Sequence, residues 1–241
     1  MPGKTARSAR SRRHDDKTTE LLTKAIPKRK PGQQVFVEGV PLADALWNST
    51  RALRKEVLET YLINGLNNGT VDPVKFGQYV VQDAVYCYKS KVDIDVVASR
   101  TTGSLRDFFL EESADYEEYY KGMFEAWSIG EPKGIHLNPT CQAYADLIAK
   151  IAVDRDPVYS IVAGIPCVRL WPWIGQKFKQ SGKSSGLYQK WVDENFDPTG
   201  TDYLKWEAYV NNSTDIDVAT AKKIYYKCMK GELGFFSSIK E

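Results

Sequence analysis

Three local groups of residues in this 241-residue chain contain side chains that could carry out chemistry. The first is Asp83 with Tyr86, which lie at i and i+3 and would therefore share one face of a helix. The rest of that face is apolar, and a carboxylate is costly to bury there unless hydrogen-bond donors reach it. Asp83 therefore fits two interpretations, a carboxylate that binds a ligand or one that pairs with a Lys or Arg on a neighbouring helix.

The second group surrounds Cys167, in an apolar segment that contains Pro166 and Pro172. Each proline removes a helical hydrogen bond, so the segment is predicted to kink and to expose main-chain groups to a cavity. Trp171 follows Cys167 by about one helical turn. The thiol could be a nucleophile, or it could be a small buried apolar residue as free cysteines often are.

The third group is Glu232 with Phe235 and Phe236, an acid whose i+3 and i+4 neighbours are aromatic. A carboxyl group desolvated by rings suits a proton carrier at neutral pH. A glutamate in the last turns of the chain could equally be exposed to water. The residues alone leave both interpretations open.

Helices must position these groups, because apolar residues recur at three- and four-residue steps from residue 41 onward and alternating strand patterns are nearly absent. The spacing predicts a helix over 41–66, then a turn in which Asp72 caps a second helix that begins at Pro73 and carries Asp83. Further helices are predicted at about 104–128, 140–153, 157–180, 186–195, 201–211 and 216–238. Long helices with short connections predict an all-α fold, one helical bundle without a sheet.

Charge divides the chain into two parts. Residues 1–32 contain ten Lys and Arg against three Asp and Glu, whereas the whole chain has a formal net charge of only +2. We expect residues 1–32 to form a disordered basic tail and residues 33–241 to form the folded domain. The near-neutral total predicts no nucleic-acid partner, and no apolar run reaches the roughly 20 residues that span a membrane. We expect a cytoplasmic protein, with nuclear or organellar targeting by the tail left open.

Metal and cofactor chemistry is not expected. The four cysteines are scattered without a CxxC spacing, and the two histidines are His14 in the tail and His136 in a predicted loop. These cysteines and histidines do not form a usual zinc-binding motif. No predicted helix contains a histidine that could bind haem iron, and the chain lacks the Glu-x-x-His pattern of di-iron bundles.

The order and spacing of these groups resemble the TenA (thiaminase II) family, which has the haem-oxygenase-like all-α fold. The resemblance runs from about residue 42 to the C-terminus and is carried by residues 61–70, 76–83, 139–144, 165–175, 188–191 and 232–236. It implies an enzyme that hydrolyses aminopyrimidines in thiamin salvage or degradation, without a cofactor, as a homo-oligomer (a dimer or tetramer). By resemblance Cys167 is the nucleophile, Glu232 is the acid/base and Asp83 holds the aminopyrimidine, while Tyr86 and Tyr144 are pocket aromatics.

The chain departs from the family pattern at the wall of the predicted pocket. Trp171 stands where the family usually has Tyr, and Asn195 stands where another pocket Tyr is expected. If the family pattern is aligned in a different register, Lys227 rather than Glu232 occupies the position of the acid/base. The alternative interpretation is therefore a member with an altered pocket, which acts on or merely binds another small heteroaromatic ligand and is catalytically silent for thiamin compounds.

Overall fold

Ten α-helices dominate the computed structural model, which describes residues 35–37 and 39–241, and side-chain surroundings from residue 39 onward. The elements, in chain order, are β1 (Val35–Val37), β2 (Val40–Pro41), α1 (Leu42–Ser49), α2 (Arg51–Glu59), α3 (Tyr61–Asn68), α4 (Pro73–Ser99), α5 (Gly103–Ala126), α6 (Pro139–Asp154), α7 (Pro157–Ser181), α8 (Gln189–Asn195), α9 (Tyr203–Asn212) and α10 (Val218–Ser237). Two short 3₁₀ helices lie at Pro132–Gly134 and Gly186–Tyr188. The predicted helical bundle is confirmed, and the predicted tail, residues 1–32, lies outside the described residues.

The start of α4 follows the local signals in the sequence. The Asp72 side chain accepts hydrogen bonds from the backbone N–H groups of Val74 and Lys75, at 2.9 and 3.1 Å, and Pro73 occupies the first helical position. Gly69 ends α3 in the left-handed conformation, with φ of 73°. A capped start and a glycine stop place α4 as predicted, and it is the helix that carries Asp83 and Tyr86.

The predicted single helix over 41–66 is wrong, because the chain breaks it into α1, α2 and α3. The hydroxyl of Thr50 donates to the carbonyl of Trp47 at 3.0 Å, and Arg54 donates to the same oxygen at 3.0 Å. The hydroxyl of Thr60 donates to a carbonyl of α2 and also accepts from Ile63 N–H, which caps α3. Threonines that bond the local backbone compete with the helical ladder, so three short helices replace one long one.

A short antiparallel hairpin also precedes the bundle, where the sequence predicted no strand. Val35 pairs with Pro41 and Val37 with Val40, and Gly39 adopts φ of 82° in the turn. Pro41 was expected to begin the first helix, but its backbone is extended (ψ of 144°) and α1 begins at Leu42. The two strands contact α1, and the rest of the described bundle is helical.

Helix α7 runs through the core and contacts α6, α9 and α10, while α4 packs along α5 and α6. Among the described helices, α7 alone is long and apolar enough to cross a membrane by length and composition. Of its most apolar 18-residue stretch, 56% is buried inside the bundle. A buried core helix passes the same test. The helix remains continuous from Pro157 to Ser181, with Pro166 and Pro172 both inside it.

Candidate active site

Four helices bring the predicted site residues into the interior of the bundle. Asp83 and Tyr86 come from α4, Tyr144 from α6, Cys167 from α7 and Glu232 from α10. Each of these five side chains is at most 7% exposed. Burial of two carboxyl groups in one region is costly, so these groups require partners nearby.

A pair of tyrosine rings lies at the centre of this region. The rings of Tyr86 and Tyr144 stack with centroids 5.2 Å apart and an interplanar angle of 20°. Phe235 closes the pair from one side, with its centroid 5.4 Å from that of Tyr86 in an edge-on arrangement. Such aromatic surfaces can stack on a flat heteroaromatic ligand.

Glu232 is anchored by Tyr144. The Tyr144 hydroxyl donates a hydrogen bond to Glu232 Oε1 at 2.7 Å, and Glu232 is only 4% exposed. The interpretation of Glu232 as a water-exposed glutamate is therefore wrong. Lys227, the residue of the alternative register, is exposed.

A glycine makes this contact between α6 and α10 possible. A Cβ atom at Gly231 would lie 2.3 Å from Cδ2 of Tyr144, far inside van der Waals contact. The ring of Tyr144 therefore lies directly on the backbone of α10, one residue before Glu232. Only a residue without a side chain allows this approach.

Burial controls the protonation of both tyrosines. Burial raises the pKa of Tyr86 well above its usual value, and the proximity of Cys167 and Glu232 raises it further. Burial also raises the pKa of Tyr144, followed by the effects of Glu232 and Tyr86. Both hydroxyls stay neutral near physiological pH, so Tyr144 remains a donor to Glu232.

Asp83 receives a hydrogen bond from a residue that sequence reasoning missed. The Tyr119 hydroxyl on α5 donates to Asp83 Oδ2 at 2.5 Å. The neighbouring Gln82 accepts from the backbone N–H of Asn138 at 2.7 Å, which joins α4 to the start of α6. The sequence did contain a signal for Tyr119, because Tyr116 and Tyr119 are spaced i and i+3 and therefore share one face of a predicted helix.

Cys167 borders two cavities. The first, which we call the ring cavity, measures about 40 Å³ and is lined by Tyr86, Tyr144 and Cys167 among other residues. The second, the acidic cavity, measures about 80 Å³; the residues that line it are Tyr116, Cys167, Val168, Trp171, Pro172, Glu194, Asn195, Asp197, Gly200 and Asp202. Tyr116 and Cys167 belong to both walls.

The structure thus separates the predicted site residues into four groups. Tyr86 and Tyr144 line the ring cavity, Trp171 and Asn195 line the acidic cavity, and Cys167 lies between them. Asp83 and Glu232 are buried near this region but belong to neither of the two cavity walls. Pro172 and Val168, four residues apart, both line the acidic cavity. The proline removes the helical donor for the Val168 carbonyl at this cavity.

Sequence reasoning also missed two polar residues that line the ring cavity, Asp93 and Ser160. Burial raises the pKa of Asp93 to about 6, with Lys89 opposing the shift and Asp146 adding to it. Asp93 lies ten residues after Asp83 on α4, so helical spacing could have placed the two on neighbouring faces.

Fold and site together define a class of protein: a single all-α bundle whose interior holds a cysteine, two carboxyl groups and stacked tyrosines beside small cavities. Among the described residues, no three His, Cys, Asp or Glu side chains are grouped so that they could hold a metal ion.

Comparison with known proteins identifies the family. The pattern of the TENA/THI-4/PQQC family matches residues 47–239, and the chain belongs to this family. A TenA homologue from P. horikoshii OT3 superposes with a TM-score of 0.73 at 19% identity, covering 83% of this chain and 98% of that one. A TenA homologue from Pyrococcus furiosus gives a TM-score of 0.69 at 11% identity, covering 83% and 100%. At these identities the two structures establish the shared fold.

Two sequence relatives are the thiamine biosynthesis multifunctional proteins ThiED of Corynebacterium efficiens and Corynebacterium glutamicum. The first is 27% identical over 164 residues, which is 64% of this chain and 21% of the relative. The second is 22% identical over 189 residues, which is 76% of this chain and 24% of the relative. This chain therefore spans only a fifth to a quarter of the length of these multifunctional relatives.

Proposed function

We propose that this protein is a hydrolase of aminopyrimidines related to thiamin, with Cys167 as its nucleophile and Glu232 as its acid/base. The observation that carries the proposal is the arrangement around Tyr86 and Tyr144. Their stacked rings lie beside Cys167, and Tyr144 donates to the buried carboxyl group of Glu232. The family match and the thiamine biosynthesis relatives support the thiamin-related substrate class.

The reaction we propose replaces an amine on the exocyclic methylene group of the pyrimidine with a hydroxyl group. The Glu232 carboxylate takes the Cys167 proton, and Sγ bonds to the electron-poor ring carbon beside the one that bears the methylene. The displaced electron pair breaks the carbon–nitrogen bond of the protonated amine, and the nitrogen leaves as ammonia and takes the proton from Glu232 to become ammonium. A thiolate suits this addition because it is soft and partly ionised near neutral pH.

Water completes the cycle. Glu232 takes one proton from a water molecule while the hydroxide bonds to the exocyclic methylene carbon. The electron pair returns to the ring, the carbon–sulfur bond breaks, and Cys167 recovers its proton from Glu232. The sum is a protonated aminomethylpyrimidine plus water giving a hydroxymethylpyrimidine plus ammonium.

Two tyrosines would position the carboxyl groups during this cycle. Tyr144 holds Glu232 by the 2.7 Å hydrogen bond, and Tyr119 holds Asp83 by one of 2.5 Å. We assign Asp83 to the pyrimidine, because a carboxylate can accept from a 4-amino group and a protonated ring nitrogen together.

The pocket itself favours a second candidate function. The ring cavity measures about 40 Å³, so its wall side chains must move apart before any aromatic ring binds there. Trp171 and Asn195 also reshape the wall next to Cys167. The second candidate is therefore a family member that binds another small heteroaromatic ligand and is silent toward thiamin compounds.

One experiment separates the two candidates. The full chain is incubated with 4-amino-5-aminomethyl-2-methylpyrimidine, and separately with thiamin, in water enriched in ¹⁸O, and the products are analysed by mass spectrometry. A hydrolase yields the hydroxymethylpyrimidine with ¹⁸O in its hydroxyl group and releases ammonium or thiazole. Binding of the pyrimidine without product supports the silent protein. The Cys87→Ser variant is the control, because it removes another buried thiol that does not line the ring cavity.

Two further proposals rest on the resemblance and on composition. We propose that the protein is a homo-oligomer, a dimer or tetramer, which light scattering after size-exclusion chromatography tests. We also propose that it acts in the cytoplasm, which imaging of a C-terminally tagged full chain tests.

A further inference from the structure

The ring cavity extends along two of the helices that surround it. Its wall takes side chains from residues 86–97 of α4 and from residues 160–167 of α7. At a rise of about 1.5 Å per residue, these stretches are about 16 and 10 Å long along the two helix axes. The cavity is therefore elongated, and Cys167 lies at one limit of its α7 wall while Ser160 lies at the other.

The contacts of Arg100 show how the two helices are oriented. Arg100, which directly follows α4, donates to the carbonyls of Val153 and Arg155, shortly before α7, at 2.8 and 2.9 Å. The C-terminal end of α4 therefore lies beside the N-terminal end of α7. The cavity extends from Cys167 toward the start of α7, where Ser160 lies.

The two ends of the cavity differ in their exposure to solvent. Tyr86, Tyr144 and Cys167 are at most 7% exposed, whereas Asp93 and Ser160 are partly exposed. The end beside Ser160 is therefore nearer to the protein surface than the end beside the reactive thiol. Small molecules that enter at Ser160 have the shorter path from solvent.

Two buried polar atoms on wall residues of this cavity have no hydrogen-bond partner among the described residues. They are Oγ of Ser160 and Nε1 of Trp206. A hydroxyl group can donate and accept, and an indole N–H can donate. Buried polar atoms that no protein group reaches are commonly satisfied by ordered water. One water molecule needs about 10–15 Å³ of cavity, and the ring cavity measures about 40 Å³.

We propose that the ring cavity holds the water that completes hydrolysis, with Ser160 as a positioning residue for a short chain of water molecules that reaches Cys167. This inference rests on the proposed hydrolysis of aminopyrimidines. Cys167 also lines the acidic cavity, so a pyrimidine that bonds to Sγ from the acidic side leaves the ring cavity to water. Ser160 lies about 10 Å from Cys167 along α7 and acts through the intervening water molecules.

Water in this cavity serves the second half of the reaction. The first half releases ammonium and leaves the pyrimidine bonded to Cys167 with an exocyclic methylene group. A water molecule then gives one proton to Glu232 while its oxygen bonds to the methylene carbon. The electron pair returns to the ring, the carbon–sulfur bond breaks, and Cys167 recovers its proton from Glu232. Loss of the Ser160 hydroxyl slows this half and leaves the first half unchanged.

A matched pair of variants tests the Ser160 hydroxyl. Ser160→Val and Ser160→Thr add nearly the same volume to the cavity wall, but only threonine keeps a hydroxyl group. With 4-amino-5-aminomethyl-2-methylpyrimidine, Ser160→Val is expected to lower kcat about five- to tenfold, and to lower KM with it, because water attack limits turnover. The ratio kcat/KM is expected to stay within about twofold, since it reports the steps up to ammonium release. Ser160→Thr is expected to restore most of the lost kcat.

Quenched-flow measurement of ammonium separates the two half-reactions. Ser160→Val is expected to release one ammonium per protein chain in a rapid burst, followed by slow steady turnover. A packing defect would instead slow the first half as well. Equal losses of kcat and kcat/KM without a burst, or equal losses in Ser160→Val and Ser160→Thr, would overturn the inference.

A high-resolution crystal structure of the full chain tests the water site without turnover. We expect ordered water bonded to Ser160 Oγ in the unmodified protein and none at this position in Ser160→Val. A dry cavity, with Ser160 Oγ bonded to the backbone carbonyl of the preceding helical turn, would overturn the inference whatever the kinetics.

The outcomes distinguish this inference from the function on which it rests. If the unmodified protein hydrolyses the aminomethyl compound and Ser160→Val matches it in kcat and KM, the water inference is overturned and the hydrolase stands. If the unmodified protein releases no ammonium, the hydrolase fails and the role of the cavity water in turnover fails with it. Melting temperatures are measured for both variants, and Ser160→Ala replaces Ser160→Val if the latter does not fold.

Discussion

At the scale of single residues, Tyr144 links the reactive groups of the site. Its ring stacks on Tyr86, and its hydroxyl donates to Glu232, which the proposed mechanism uses to move protons. Cys167 lies beside this ring pair and opens onto a second cavity. The proposed nucleophile and the proposed proton carrier therefore both lie close to Tyr144.

The first prediction concerns Cys167. Cys167→Ser keeps nearly the same volume but replaces a soft thiol with a poorly ionised hydroxyl, so kcat for the aminomethyl compound should fall by about three orders of magnitude or more. The affinity for the pyrimidine and the melting temperature should change little. Alkylation by iodoacetamide, followed by peptide mass spectrometry, should modify Cys167 in the native protein, and bound pyrimidine should protect it.

Retained turnover in Cys167→Ser would remove this residue from the mechanism. Alkylation of Cys167 only after unfolding would identify it as a structural thiol. The other three cysteines, Cys87, Cys141 and Cys228, are at most 1% exposed and serve as internal controls in the same digest.

The second prediction concerns the hydroxyl of Tyr144. Tyr144→Phe keeps the stacked ring but removes the hydrogen bond to Glu232, so kcat should fall about ten- to a hundredfold while KM changes less than threefold. Lys227→Ala is the comparison and should leave both constants within twofold, since Lys227 is exposed. A large loss in Lys227→Ala with an unchanged Tyr144→Phe would reverse the assignment of the acid/base.

At the scale of elements, close contacts between helices set the geometry of the site. Helix α10 presents Gly231 to Tyr144 of α6, so the ring lies on the helix backbone. Gly175 of α7 plays a similar part beside the acidic cavity, because a Cβ there would lie 1.9 Å from the Phe196 carbonyl oxygen. These two glycines let α10 and the segment after α8 approach the helices that carry Tyr144 and Cys167.

The third prediction follows from the first of these contacts. Gly231→Ala gains helix propensity, but its methyl group would overlap the Tyr144 ring, so we expect a net destabilisation of about 1–3 kcal/mol. We also expect kcat to fall by more than the loss of folded protein accounts for, because Tyr144 would move away from Glu232. Chemical denaturation and steady-state kinetics at a temperature where the variant is fully folded measure the two effects separately.

Gly122→Ala is the matched control for helix propensity. Gly122 lies inside α5, and a Cβ there meets no atom within 4 Å among the described residues. This change should stabilise the protein by up to about 1 kcal/mol and leave kcat unchanged. A neutral or stabilising Gly231→Ala with full activity would show that the ring of Tyr144 can move without consequence.

At the scale of the whole molecule, a partly buried charge cluster joins three helices. Arg169 of α7 bonds Glu207 of α9 at 2.5 Å and Asp44 of α1 at 3.0 Å. The ring of Trp47 on α1 contacts the guanidinium groups of both Arg54 and Arg169, whose Cζ atoms are 3.7 and 4.6 Å from its centroid. The cluster holds the N-terminal helices against the core.

The fourth prediction is the pH dependence that this cluster imposes on stability. Burial raises the pKa of Glu207 to about 7 from its usual 4.5, although Arg169 opposes the shift. The folded state therefore holds the proton more tightly than the unfolded chain does. The contribution of Glu207 to stability is complete below about pH 4.5 and is lost as pH rises through 7, a difference of at most about 3 kcal/mol.

Urea denaturation of the protein and of Glu207→Gln between pH 5 and 8 measures this dependence. The free energy of unfolding of the unmodified protein, relative to that of Glu207→Gln, should decline over this range, because the glutamine cannot titrate. If the difference in the free energy of unfolding between the two proteins stays constant over this pH range, Arg169 keeps Glu207 ionised throughout.

The sequence by itself determined the helical class and most helix boundaries, because apolar periodicity, Asp72 as a cap and Pro73 at a helix start are local signals. It also identified Cys167, Glu232, Asp83 and Tyr144 as candidates, since resemblance carries residue types and order. Only the tertiary structure decided that Glu232 is buried against Tyr144 while Lys227 is exposed, that Tyr119 holds Asp83, and that Cys167 lies between two cavities. The hydrogen bonds of Tyr119 and Tyr144 connect residues that are 36 and 88 positions apart in the chain. Such contacts depend on how whole helices pack. The breaks at Thr50 and Thr60 escaped prediction for a related reason, because threonine is compatible with a helix until its hydroxyl finds a backbone partner.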